Sequence, residues 1–194
     1  MMSNSEQRVR KPAHLGGLFA HADRYDRMSG RKMRGVDARI VGDVVAAGLG
    51  PADRLLDAGT GPGRLPRAIA AALPDLVIDG IDLSPQMIEY ADRNAGRITF
   101  TVGDVADLPY PDGTFALVVS SISQHHWADV DGAVRDLRRV LRPGGQLWIY
   151  DSRFLLRRAS AAARAVFPAG SVHRETIQTS RLPVRLISRL SARA

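Results

Sequence analysis

The segment Leu55–Leu65, LLDAGTGPGRL, constrains the fold more than any other stretch of the chain. A short apolar run ends in an aspartate, and glycine then occupies every second position from Gly59 to Gly63. Clustered glycines let the backbone approach a ligand closely and adopt dihedral angles that other residues avoid. A dinucleotide-binding turn has the spacing G-x-G-x-x-G, but the third glycine would fall on Arg64 or, counted from Gly61, on Pro66. The segment therefore predicts a strand followed by a ligand-binding turn of a different type.

Apolar segments typical of buried strands alternate with helical segments on both sides of this turn. The predicted strands are Arg54–Asp57, Leu76–Ile81, Ile98–Asp104, Phe115–Ser121 and Gln146–Asp151. The predicted helices are Ile40–Leu49, Arg64–Leu73, Ser84–Ala95 and Val130–Leu141. Such alternation favours an α/β fold with a parallel sheet that helices cover on both faces.

The composition is that of a globular protein and excludes several kinds of site. A chain of 194 residues with 45% hydrophobic and 24% charged residues suits a single domain with a core of its own. Because the chain has no cysteine, disulfides, thiolate metal sites and a cysteine nucleophile are excluded. No apolar run reaches membrane-spanning length and no secretory signal is evident, so we expect a cytoplasmic protein.

Polar side chains follow the predicted strands at the point where each strand ends. These residues are Asp57, Asp82, Asp104, Ser120, Ser121 and Asp151. In open α/β sheets, ligands bind beyond the carboxyl ends of the strands. Asp82 lies 19 residues after Gly63, where a carboxylate can accept hydrogen bonds from a ribose diol. Each aspartate could also merely cap the turn that follows its strand, but together with the glycine turn they indicate a nucleoside-binding site.

Five blocks of sequence are similar to those of class I S-adenosylmethionine-dependent methyltransferases, in the same order and spacing. They are LLDAGTGPGRL, GIDLSPQMIEYA, TVGDVADLPYPDGTF, VVSSISQHHW and RRVLRPGGQLWIYD, which together span Leu55 to Asp151. The chain most resembles the small-molecule branch that includes the ubiquinone and menaquinone biosynthesis methyltransferases. The segment His21–Arg34, HADRYDRMSGRKMR, resembles the N-terminal lid of that branch.

The resemblance implies a doubly wound, Rossmann-like, mostly parallel sheet of seven strands with a C-terminal antiparallel pair. Residues 1–14 would form a disordered arm, 15–50 a helical lid, 51–151 the cofactor-binding core and 152–194 the last helix and strand pair. That helix is expected at Phe154–Phe167, and the two strands at Val172–Thr179 and Val184–Leu190. Residues 15–194 would form one methyltransferase domain.

The resemblance also implies which residues bind S-adenosyl-L-methionine. They are Asp57, Gly59, Gly61, Gly63, Asp82, Leu83, Met87, Asp104, Val105, Ser120 and Tyr25. Asp57 would orient the amino group and Asp82 the ribose hydroxyls. Asp104 and Val105 would hold the adenine, and Tyr25 would close over the methionine portion. Met87 would equally suit the core side of its helix.

The candidate catalytic residues are His125 and His126, which follow the fourth strand in the segment SQHHW. A neutral histidine can accept the proton of a hydroxyl acceptor near pH 7. Adjacent residues point in different directions, so one of the two is expected to face the acceptor, and both could instead pack at a helix start. We expect no metal site.

The acceptor class is left open between a small molecule and RNA. Both ends of the chain are basic, which suits a polyanion, but arginines alternate with apolar residues in RLPVRLISRLSAR, as in a half-exposed strand. We therefore expect a small-molecule acceptor and no nucleic acid. A homodimer would help to complete the acceptor pocket, and a non-catalytic subunit that binds S-adenosylmethionine is the remaining alternative.

Overall fold

The structure is a computed structural model that describes residues 22–178 and 186–194, with side chains from residue 33 onward in the first helix. These residues contain seven strands: β1 Arg54–Ala58, β2 Val77–Asp82, β3 Thr99–Val102, β4 Phe115–Ser121, β5 Leu141–Ser152, β6 His173–Thr176 and β7 Ile187–Arg193. They also contain five α-helices: α1 Ala22–Ala46, α2 Arg64–Ala72, α3 Pro85–Asp92, α4 Val130–Val140 and α5 Arg157–Val166. A short 3₁₀ helix covers Gln124–His126.

The strands form one sheet in the order β3-β2-β1-β4-β5-β7-β6. The first five strands in this order are parallel, whereas β7 is antiparallel to both β5 and β6. The chain runs outward from β1 in one direction and from β4 in the other, so the strand order reverses between these two strands. The predicted fold class, a doubly wound seven-stranded sheet with a C-terminal antiparallel pair, is confirmed.

Helices cover the two faces of the sheet with separate apolar clusters. On one face, α1 and α2 pack on β1, β4 and β5 through Val36, Ile40, Val44, Leu55, Leu65, Ile69, Leu117, Val119, Trp148 and Tyr150. On the other face, α4 and α5 pack through Leu56, Val118, Val134, Leu137, Leu147, Ile149, Ala159 and Ala163. Both faces of β4 are therefore covered, which explains its continuous apolar sequence.

The first helix is much longer than the predicted Ile40–Leu49, since α1 begins at Ala22 and ends at Ala46. Its early turns are rich in charged residues and contain Gly30 and Gly35, so they carry no apolar pattern that would indicate a helix. The later turns are part of the core, because Val36, Ile40 and Val44 are buried. A lid function is left as a prediction for the part of residues 15–50 that precedes these turns.

Two other segments were predicted wrongly near β5. The turn expected at Arg142–Gly145 belongs to β5, which starts at Leu141. Backbone hydrogen bonds of Gly144 and Gly145 with Ala194 keep this stretch attached to the sheet. Gly144 has a φ of 76° and the β4–β5 register is irregular here, so the strand bulges. The last helix begins at Arg157 rather than Phe154, because a turn follows β5.

The C-terminal strands are displaced from their predicted bounds. Among the described residues, the strand expected at Val172–Thr179 covers His173–Thr176, and residue 179 lies outside them. The strand expected at Val184–Leu190 runs from Ile187 to Arg193, and residues 184 and 185 lie outside the described residues.

A polar cluster anchors α1 to the sheet close to the carboxyl end of β5. The Tyr150 hydroxyl donates a hydrogen bond of 2.8 Å to Asp43 Oδ2, and burial raises the pKa of this tyrosine. Asp43 also pairs with Arg39 at 2.8 Å and with Arg189 at 3.3 Å. Arg189 in turn pairs with Glu175 and lies over the Trp148 ring. The cluster thus joins α1 to β5, β6 and β7.

Replacing Tyr150 with phenylalanine should lower the free energy of unfolding by about 1.5–3 kcal/mol, the usual worth of a hydrogen bond to a charged group. Urea denaturation measures this loss. Tyr110→Phe is the matched control, because the half-buried Tyr110 hydroxyl makes no hydrogen bond to a charged group and its removal should cost less. Equal losses in the two variants would show that the Tyr150–Asp43 bond does not stabilise the fold.

Candidate active site

The carboxyl ends of the parallel strands form a rim that gathers the polar residues predicted from the sequence. Asp57 lies in β1, Ser120 in β4 and Asp151 in β5, while Asp82 ends β2. Asp57 pairs in register with Val119 and Ser120 with Ile149, so these strand ends are adjacent. The rim includes the point at which the strand order reverses, where α/β sheets bind their ligands.

The glycine turn follows β1 and takes a conformation that only glycine adopts readily. The φ angles of Gly59, Gly61 and Gly63 are 76°, 54° and 74°. The Gly59 and Thr60 amides both donate to the Ile81 carbonyl, at 2.8 and 2.9 Å, so the turn is held against the end of β2. All three angles lie in the left-handed region that L side chains avoid.

The surroundings of these glycines differ in a way that suggests where a ligand would lie. A Cβ on Gly59 would meet Ser123 Oγ at 1.8 Å, and one on Gly63 would meet the Phe100 ring at 2.7 Å. A Cβ on Gly61 would have no atom within 4 Å. The backbone at Gly61 therefore has an open side that can accommodate a ligand.

Asp57 is a buried carboxylate of the rim with a raised pKa. It is 2% exposed, and its Oδ1 atom is buried without a hydrogen-bond partner. Burial raises the pKa of Asp57 from its ordinary 3.8 to about 7, the Thr60 hydroxyl lowers it in part, and the charges of Asp37 and Asp82 raise it further. A buried acceptor without a partner suits a cationic ligand group that donates hydrogen bonds.

A basic surface groove of about 530 Å³ lies between α1 and α2, on the side of the sheet to which Asp57 belongs. Its lining includes Arg34, Arg64 and Arg67 together with Asp37. Arg64 pairs with Asp37 at 3.0 Å. Because the charge of Asp37 acts on Asp57, the groove lies near the end of β1.

Asp82 holds the turn through both of its carboxylate oxygens. Oδ2 accepts a hydrogen bond from the Gly61 amide at 2.8 Å, and Oδ1 accepts one from the Ser84 amide at 2.9 Å. Burial raises the pKa of Asp82, and these two hydrogen bonds lower it. Each carboxylate oxygen has a further lone pair, so this capping role leaves room for a ribose hydroxyl.

The remaining residues predicted to bind the cofactor lie in different environments. Asp104 is exposed, and its Oδ1 accepts a hydrogen bond from the Ala106 amide at 2.9 Å. Val105 and Met87 are buried, and Leu83 is half-buried. Ser120 is fully buried, with a hydroxyl that has no partner. The side chain of Tyr25 lies outside the described residues.

The two candidate histidines are distinguished by the end of β5. His125 Nδ1 lies 2.9 Å from Oδ2 of Asp151, a carboxylate that is 1% exposed. The Ser152 amide donates to Asp151 Oδ1 at 2.7 Å and fixes the carboxylate. Because a carboxylate only accepts hydrogen bonds, Nδ1 of the neutral ring carries the proton and Nε2 is the basic atom.

The two rings also differ in their expected protonation. The hydrogen bond to Asp151 raises the pKa of His125, although burial lowers it in part. Burial and the neighbouring His125 lower the pKa of His126. The ring centroids are 4.0 Å apart. His125 therefore combines a fixed tautomer with a raised basicity, and it is the stronger candidate for a general base.

Sequence reasoning placed Asp151 on the rim but did not pair it with a histidine. The only available signal was its position at the end of a strand next to the one that precedes SQHHW. No group of three or more potential metal ligands occurs among the described residues. Within the same residues, no helix has the length and apolar character that crossing a membrane requires.

Comparisons with known proteins point to one family. A family model described as a methyltransferase domain matches residues 55–145. The 27-O-demethylrifamycin SV methyltransferase of Amycolatopsis mediterranei (strain S699) is 40% identical over 110 residues, which are 54% of this chain and 39% of that protein. The ubiquinone/menaquinone biosynthesis C-methyltransferase UbiE of Geobacter sp. (strain M21) is 33% identical over 159 residues, which are 78% of this chain and 66% of that protein.

A likeness in structure extends over nearly the whole chain. A solved structure from Methanococcus maripaludis, described as an S-adenosyl-L-methionine-dependent methyltransferase, aligns with this chain with a TM-score of 0.68 and 23% sequence identity. The alignment covers 99% of this chain and 96% of that one, and at this identity it shows the fold. The chain spans from about two fifths to about two thirds of the length of the two curated relatives above.

Alanine at Gly59 should destabilise the protein more than alanine at Gly61. Both substitutions force an L-residue into the left-handed region, at about 1–2 kcal/mol each, but only the one at Gly59 also displaces Ser123. We expect Gly59→Ala to melt below Gly61→Ala by at least about 2–4 °C in calorimetry. Identical melting temperatures would contradict the contact with Ser123.

The raised pKa of Asp57 predicts a stability that falls as the pH rises. Between pH 4 and 7 the unfolded carboxyl is ionised while the folded one still holds its proton, so the free energy of unfolding should decrease by up to about 4 kcal/mol. Asp57→Asn should lack this component, and should gain stability over the wild type as the pH rises from 4.5 to 8. Urea denaturation at several pH values measures this difference. If the free energy of unfolding changed with pH in the same way in both proteins, the raised pKa of Asp57 would be contradicted.

Proposed function

Since the chain belongs to the class I S-adenosylmethionine-dependent methyltransferases, we propose that it transfers the methyl group of S-adenosylmethionine to a hydroxyl group of a small-molecule acceptor. The observation that carries this proposal is the pair of His125 and the buried Asp151, 2.9 Å apart at the rim of the sheet. Such a pair suits an acceptor that must lose a proton as it is methylated.

The donor side of the rim fits S-adenosylmethionine in three respects. Asp57 offers a buried acceptor without a partner to the amino group, and the arginines of the neighbouring groove suit the carboxylate. The open side of Gly61 lets the backbone approach the ligand, and Asp82 lies where a ribose would bind. When bound, S-adenosylmethionine supplies a methyl group that its sulfonium makes electrophilic.

On the acceptor side, His125 would accept the hydroxyl proton at Nε2. Asp151 would hold the ring through Nδ1 and stabilise the imidazolium that forms. A general base of this kind contributes about 10²–10⁴-fold to the rate, and correct placement of the reacting groups contributes about 7–11 kcal/mol more. The Ser152 amide donates to the other oxygen of Asp151 and keeps the carboxylate in place beside the ring.

The names of the relatives support a small-molecule acceptor but differ in the methylated atom. The rifamycin relative is named for an oxygen and UbiE for a carbon. The His125–Asp151 pair supplies the base that a hydroxyl needs near neutral pH, and we therefore propose oxygen, the atom in the name of the rifamycin relative. RNA is disfavoured, since Arg189 of the basic tail is engaged with Asp43 and Glu175 inside the protein.

The cytoplasmic location, the homodimer and the closure of Tyr25 over the donor stay predictions. Size-exclusion chromatography with light scattering tests the homodimer. The reaction itself is tested by incubating the purified chain with methyl-labelled S-adenosylmethionine and pools of hydroxylated small molecules, with bulk RNA as the alternative acceptor. Label in the RNA alone would overturn the proposed acceptor class.

His125→Ala should lower turnover on a hydroxyl acceptor by about 10²–10⁴-fold and leave the affinity for the donor unchanged. Asp151→Asn should lower the plateau rate and also move the acid limb of the pH–rate profile to lower pH, because the interaction that raises the pKa of His125 is lost. His173→Ala, at an exposed position on β6, is the matched control. A near-wild-type rate in His125→Ala would remove this residue from the mechanism.

A further inference from the structure

The chain bends sharply where β4 passes into the loop that carries the histidines. Ile122 has a φ of 50°, and it is the only non-glycine residue in the left-handed region within residues 22–178 and 186–194. This conformation is disfavoured for any L-residue and most of all for a β-branched one. The Ile122 amide donates to the Tyr150 carbonyl at 2.8 Å, which holds the bend against β5. Strain that the surrounding structure maintains is typical of functional sites.

The bend places the side chain of Ser123 directly on the glycine turn. A Cβ on Gly59 would come within 1.8 Å of Ser123 Oγ and within 2.6 Å of Ser123 Cβ. The hydroxyl also accepts a hydrogen bond of 3.2 Å from Trp127 Nε1. Ser123 is therefore held between the turn that follows β1 and Trp127, the residue that follows the 3₁₀ helix.

Ser123 is also the residue from which the histidine segment starts. It precedes the 3₁₀ helix Gln124–His126, and its carbonyl accepts a hydrogen bond of 2.9 Å from the His126 amide. His125 thus has two anchors, Ser123 on the glycine turn and Asp151 on β5. A displacement of the glycine turn would move the first anchor and so change how the ring of His125 contacts Asp151.

We propose that Ser123 is a positioning residue that couples the glycine turn to His125, with the bend at Ile122 holding it in contact with Gly59. This inference rests on the proposed function only in the role given to His125. Occupation of the glycine turn by the methyl donor would then fix the orientation of the histidine toward the acceptor. The coupling favours an order in which the donor binds first.

Histidine resonances in the NMR spectrum of the full chain report on this coupling without an acceptor or turnover. The resonance of His125 is assigned from its loss in His125→Gln. Asp151 and His126 are the titratable groups that face it. Addition of S-adenosylhomocysteine should shift the His125 resonance in the wild type. In Ser123→Gly this shift should be lost, and the pKa of His125 should fall toward its ordinary 6.5 as the contact with Asp151 loosens.

Ser160→Ala is the matched control, because it removes a serine hydroxyl that donates to Leu156 O within the first turn of α5 rather than one that contacts the glycine turn. It should leave both the resonance shift and the pKa unchanged. With an acceptor in hand, Ser123→Gly should lower kcat by about 10²-fold and leave the KM for the donor within about threefold. A folded Ser123→Gly protein with the wild-type pKa of His125 would overturn the proposal.

A second variant decides the question if Ser123→Gly does not fold. Ser123→Ala is expected to fold, because it keeps Cβ and removes only the hydroxyl, and it should weaken the coupling because the Oγ contact with Gly59 and the hydrogen bond from Trp127 are lost. If S-adenosylhomocysteine shifted the His125 resonance of this variant as much as that of the wild type, the proposal would also be overturned. If the wild type fails to bind S-adenosylhomocysteine, the proposed function fails, while the pKa of His125 in the free variants still tests the positioning role.

Discussion

The buried carboxylate of Asp57 is the constraint on which the rest of the site depends. It lies where the strand order reverses between β1 and β4, so the fold itself brings it to the ligand-binding rim. There it has lost water without gaining a partner for Oδ1, and its pKa rises to about 7. A cationic ligand group that donates hydrogen bonds would offset this cost. Every second residue of the next turn is then a glycine, because the turn bends back against β2 with left-handed φ angles at Gly59, Gly61 and Gly63.

The two halves of the site approach the rim from opposite faces of the sheet. Asp57 alternates with Leu56 and so shares the face of Leu55, which α1 and α2 cover. Asp151 shares the face of Ile149, which α4 and α5 cover. A donor held from one face and a base held from the other would leave the rim between them for the acceptor. Such an arrangement suits an in-line displacement, in which the attacking and leaving groups lie on opposite sides of the methyl carbon.

Apolar periodicity was sufficient to predict the strands and the parallel sheet, and strand ends were sufficient to predict the rim. The errors occurred where long-range contacts override local signals. The sequence Arg-Pro-Gly-Gly indicates a turn, but hydrogen bonds with Ala194 make it a bulge within β5. The choice between His125 and His126 depends on how the loop after β4 meets Asp151 on β5, which no local pattern encodes. The φ of Ile122 likewise has no sequence signal, since a β-branched residue is the least expected one in that conformation.

Titration calorimetry with S-adenosylhomocysteine tests the central claim most directly, namely that Asp57 and the glycine turn bind an adenosylmethionine-type ligand. Measured from pH 5.5 to 8.5, the affinity of the wild type should rise as Asp57 ionises around pH 7 and then level off. Asp57→Asn should bind weakly and without this pH dependence, and NAD should not bind. Binding of NAD in place of S-adenosylhomocysteine, or an affinity in Asp57→Asn equal to that of the wild type at every pH, would contradict the account.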